Sequence, residues 1–151
     1  MTLLDINAYT LVLHLHSVIR WVVLILAIIV TLKSLMGVFG NPVYAKLDNI
    51  LSASYVGLMD LMLLLGLVLY VFLSPITQSA FNDFGAAMGN AAVRFWAVEH
   101  ITIMIIAVAL AHIGRSKAKK NPDVKKKYKF QAIFFGISLL VMLAGMPWDR
   151  F

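Results

Sequence analysis

The sequence predicts an all-α membrane protein: a transmembrane four-helix bundle of two antiparallel helical hairpins, with both termini on the outer side. Three observations predict it. Apolar residues make up 62% of the chain and charged residues 13%, against about 45–50% and about 25% in soluble globular domains. Four windows are long and apolar enough to cross ~30 Å of hydrocarbon, which takes about 20 residues. The basic residues are segregated. Lys33, Lys46, Arg115, Lys117, Lys119, Lys120, Lys125, Lys126, Lys127 and Lys129 flank the first and third connections, while the second carries none. This composition excludes a soluble enzyme and a disordered chain. The absence of cysteine removes disulfides, thiolate catalysis, cysteine-bound zinc or iron–sulfur clusters and covalent haem attachment.

The chain reads as one integral membrane domain over residues 1–151. Its spans fall near 11–36, 50–73, 91–113 and 130–146. No small-residue cleavage site follows the first span, so it reads as a permanent helix and not a removable signal. Lys and Arg mark the cytoplasmic side. The first and third connections are therefore expected inside, in the bacterial cytoplasmic membrane. The basic run is a topology signal first and a contact for anionic membrane lipid second; nucleic acid is not expected as a partner. Each cytoplasmic turn holds an Asn-Pro pair, Asn41-Pro42 and Asn121-Pro122. Asn favours the N-cap and Pro the first helical position, so the second and fourth helices are expected to begin at these prolines.

Polar residues inside the spans need reasons, because a charge at a helix centre costs roughly 2.5–3.5 kcal/mol on insertion scales. At about 100° per residue, Arg20, Ala27, Thr31 and Ser34 fall within about 60° of His16. That stripe should face the other helices. His14 points away, toward the headgroups. On the third span, Trp96, Met104, Ala107, Ala111 and Gly114 share a face with His100 to within about 40°. Both His16 and His100 lie roughly 12–14 Å from the outer end, so they are expected to face each other. Arg20 and Asp60 also match in depth, which predicts an intramembrane ion pair. His112 reads as a solvated interfacial residue.

Two facing histidines in a small bundle admit several chemistries. Bis-imidazole ligation of one haem b needs two axial nitrogens and a slot between helices. Copper or zinc would take the same pair with Glu99 as third ligand. A proton relay would run through His16, Glu99 and His100. Plain hydrogen bonding across helices is the simplest alternative. Haem is favoured by Arg94, about 9 Å outward from His100 and placed for propionates, with Arg20 as second choice. Phe95 and Trp96 are the expected aromatic walls. Only one bis-His pair is available.

The stretches HSVIRW (16–21), AKLDNILS (45–52) and RFWAVEH (94–100), then HIGRSKAKK and the closing GMPW, resemble short four-span bacterial membrane proteins labelled cytochrome b. The resemblance implies one b-type haem, electron transfer, and exchange of electrons with quinone or a periplasmic partner. A non-catalytic subunit or assembly factor of a larger respiratory or membrane complex is the alternative, as is a metal- or proton-translocating protein.

Overall fold

The computed structural model describes residues 3–40 and 43–148, with side chains from Asn7 onward. Four long helices dominate: α1 (Leu3–Phe39), α2 (Lys46–Leu73), α5 (Ala91–Lys120) and α6 (Val124–Ala144). All four are long and apolar enough to span a membrane, and no strand occurs among the described residues. Between α2 and α5 lie two short helices, α3 (Pro75–Asn82) and α4 (Phe84–Gly89). α1 packs on α2 and α6, and α5 packs on the same two, so the long helices close a ring.

The core follows the predicted stripes. Ala27, Thr31 and Ser34 of α1 are buried, as are Ala107, Ala111 and Gly114 of α5. Small side chains let backbones approach, which drives helix association where lipid tails offer no hydrophobic contrast. At Gly114 the approach is tight: an added Cβ would stand 2.6 Å from Phe134 Cβ. Tyr55 and Phe135 fill the centre in an edge-to-face contact, ring centroids 5.1 Å apart.

Helix ends depart from the sequence reading. α6 begins at Val124, where Asp123 caps it by accepting from Lys126 N–H at 3.2 Å. Asn121 instead closes α5 as its C-cap and accepts from Asp123 N–H at 3.0 Å. The Asx geometry spends the Asn side chain on a turn, so Pro122 precedes the helix rather than opening it. The other pair, Asn41-Pro42, lies outside the described residues, and α2 starts at Lys46 with Asp48 Oδ2 accepting from Ala45 N–H at 2.8 Å. α5 runs seven residues past the predicted 113 limit, to Lys120, because Lys and Arg are good helix formers that propagate a helix beyond its apolar stretch.

The second connection is helical because its caps are strong. Ser74 precedes Pro75, and Asp83 and Asn90 accept from the first-turn N–H groups of the segments they precede. Each long helix flanking it also carries one π-turn, Leu69–Leu73 in α2 and Phe95–Glu99 in α5. Such a turn inserts an extra residue and leaves a carbonyl without its usual partner. Thr77 Oγ1 donates to Tyr70 O at 2.7 Å, and Tyr70 Oη donates to Ala97 O at 2.7 Å. The two π-turns are thus tied together at one end of the ring.

Candidate functional site

Beneath those π-turns lies a cavity of ≈ 270 Å³, partly open and mostly apolar. It sits at the end of the bundle opposite the basic connections. Both predicted histidines line it, together with Arg20, Trp96 and Met104. The α1 and α5 stripes, read from spacing alone, do converge here.

His100 is held on three sides. Its Nδ1 donates to Gly145 O at 2.8 Å. A carbonyl only accepts, so the proton is on Nδ1 and Nε2 keeps its lone pair. The rings of Trp96 and Phe95 stand 5.3 and 5.8 Å from the imidazole, centroid to centroid. Gly145 makes the bond possible. An added Cβ there would meet Ile103 and Met104 at 2.6 Å, so only glycine lets the end of α6 come close enough to α5.

His16 is opposite in character. Its Nδ1 is buried with no hydrogen-bond partner among the described residues. Its ring rests over Gly66 of α2, where an added Cβ would lie 3.3 Å from Cε1. A buried imidazole nitrogen without a partner is costly in a finished core. Arg20 lines the same cavity within electrostatic range of both imidazoles, its guanidinium carbon 5.4 Å from the centroid of Trp21.

Four residues have other neighbours than their spacing suggested. Asp60 does not pair with Arg20. Its Oδ1 is 2.7 Å from Nε2 of His112, and both side chains are about half exposed, 50% and 52%. Matching depth did not fix direction: Asp60 leaves α2 toward α5, away from the cavity. His112 accordingly is not alone: it pairs with Asp60 and stays half exposed. Arg94 does not line the cavity. It donates from Nε to Glu99 Oε1 at 2.8 Å and from Nη1 to Met88 O at 3.2 Å. The π-turn between them brings Glu99 back onto Arg94. Glu99 is therefore absent from the cavity wall, which leaves the compact-metal reading without its third ligand; among the described residues no cluster of three metal-binding side chains occurs. His14 is exposed, as expected.

Sequence reasoning missed Gly66, Gly145 and both π-turns. The closing GMPW carried a signal for one of them: its glycine supplies the carbonyl to His100, and Met146 and Pro147 line the cavity. No protein-family profile, curated protein or solved structure matches the chain, so the resemblance to the cytochrome b family rests on its motifs.

The residues present fit a bis-imidazole haem in their chemistry. Two histidines approach one cavity from two helices. One ring is oriented by a carbonyl, in the manner usual for metal-bound imidazoles. The other has a nitrogen that nothing else uses. Met59, Met62, Leu63, Met104 and Val108 form apolar walls, and among the described residues Arg20 is the one guanidinium on the lining. The enclosed volume lies just under the ~300–1,000 Å³ of pockets that hold small ligands.

Proposed function

We propose that this chain is a b-type cytochrome of the bacterial cytoplasmic membrane that transfers single electrons. It holds one haem b between His16 and His100, with Arg20 toward the propionates and Trp96 against one edge. In this reading the two hairpins stand with both termini and the cavity on the outer side and the lysine-rich connections inside. The observation that carries the proposal is the bond from His100 Nδ1 to Gly145 O, beside a second imidazole whose buried Nδ1 has no hydrogen-bond partner among the described residues.

When bound, the haem supplies a one-electron iron couple. The protein's own part would be to hold that group through His16 and His100, which suits electron transfer rather than binding of oxygen or substrate. Gly145 sets the tautomer and aim of His100. The methionine and leucine walls exclude water, which lowers the local dielectric and tunes the potential. Arg20 supplies positive charge where carboxylates are to be held. Arg94 and Glu99 pair outside the lining and neutralise each other, so propionate binding falls to Arg20 and the proton role once open to Glu99 loses its place beside the ligand. Quinone in the bilayer or a carrier outside is the exchange partner that this position favours.

The test is the visible spectrum of protein purified from haem-supplemented cells. A low-spin b-type spectrum is expected, lost in His16→Ala and in His100→Ala, retained in His14→Ala and His112→Ala. Addition of a reduced quinol should produce the ferrous bands. Folded protein that takes up no haem overturns the reading. Haem that neither quinol nor a soluble donor reduces would leave it structural and favour a non-catalytic subunit of a larger complex.

A further inference from the structure

The Asp60–His112 pair has no role in the cavity, and its position is the less expected feature of the molecule. Asp60 sits roughly 20 Å from either end of α2, and His112 about 12 Å from the Lys120 end of α5. The pair bridges α2 and α5 on the outer surface of the ring, and both side chains remain half exposed. Ionisable groups at membrane depth normally face a bundle interior or a water-filled path. Here they face outward between apolar Leu64, Leu67 and Ile105. α2 is also the least enclosed span. Only 17% of its most apolar window is buried, against 39%, 28% and 33% in α1, α5 and α6.

The geometry points to this face as the interface with a second copy of the same chain. The argument for a copy rather than a foreign helix is self-complementarity. Asp60 uses one carboxylate oxygen on His112 and keeps the other. His112 uses Nε2 and keeps Nδ1. Beside a carboxylate, a protonated imidazole donates from both nitrogens. A two-fold axis along the α2–α5 groove sets each acceptor opposite the other copy's donor, and an isologous interface needs such a patch. The pair then becomes a closed network of two carboxylates and two imidazoles, removed from lipid. Nothing lies within 4 Å of a Cβ added at Gly57, one turn below Asp60 on the same face. Ala109 is exposed one turn from His112. Both allow close backbone approach.

The chain has no cysteine, so one introduced thiol can form a disulfide only with another molecule. Gly57→Cys and Ala109→Cys, each oxidised in native membranes, should give a band of twice the chain mass. Leu140→Cys, 66% exposed on α6, should not. Adding Asp60→Asn or His112→Gln to the Ala109→Cys chain should weaken the dimer roughly tenfold, as expected for losing two interhelical hydrogen bonds. Native mass spectrometry of the cysteine-free chain and of Asp60→Asn gives the same comparison without a thiol. Equal cross-linking at Leu140, no cross-linking at either groove position, or a dimer unaffected by Asp60→Asn overturns the proposal. A band joining Gly57→Cys to a different membrane protein overturns it in favour of a heteromeric contact.

Discussion

The two ends of the bundle solve the problem of buried polar groups in opposite ways. At the basic end most such groups are satisfied, Thr31 Oγ1 being an exception. Lys33 pairs with buried Asp48 at 3.1 Å, Arg115 donates to Ser52 at 2.6 Å, and Gln131 donates to Tyr44 at 2.8 Å. Further in, Tyr55 Oη and Ser138 Oγ are 2.9 Å apart, and Ser138 donates to Ala107 O at 2.7 Å. At the cavity end one histidine is braced but keeps a lone pair, and the other has a nitrogen with no partner. Satisfied networks rigidify, and unsatisfied groups store free energy for something else to release. The basic half is built to hold shape, and the other half keeps the unsatisfied groups on which the proposed haem site rests.

Substitutions can break this contrast. The largest effect is expected at the centre of the solid half. Phe135→Ala should cost about 3 kcal/mol, the low end for such a deletion because apolar transfer adds little in lipid. Met62→Ala, on the cavity wall, should cost well under half of that. Thermal unfolding in detergent compares the two, and equal losses would mean that the cavity end is packed as tightly as the other.

Asp48→Ala comes next. It strips partners from Ala45 N–H and Lys33 at once, and about 2 kcal/mol is expected for leaving such groups unpaired. Asp60→Ala, on a half-exposed pair, should cost less in a detergent-solubilised monomer. A reversal of that order would place the structural weight on the outer face.

Overpacking spans a similar range at one glycine and almost nothing at another. Gly114→Ala should lose about 1–3 kcal/mol, because Phe134 Cβ belongs to a neighbouring helix and cannot give way. Gly66→Ala meets only the edge of His16, a ring that can turn. It should leave the unfolding free energy within about 0.5 kcal/mol of the parent while weakening or shifting the haem spectrum proposed above. A spectrum unchanged by Gly66→Ala would separate His16 from the ligand role.

The helical class, the number of spans and the segregation of charge were all determined by the sequence. These properties are local: a run of apolar residues partitions into lipid whatever its neighbours do. The stripes carrying His16 and His100 were legible for the same reason, since a helix's rotation per residue is constant. Which polar groups meet was decided by the tertiary structure. Depth alone matched Asp60 to Arg20, but pairing also needs direction, and that depends on how α2 is turned against α5. Arg94 was spaced for the cavity, yet a π-turn, which no composition announces, swung it onto Glu99. The bond between His100 and Gly145 joins residues 45 positions apart. It exists only because α6 ends against α5 at a residue with no side chain, a contact between helices that no reading of either helix alone contains.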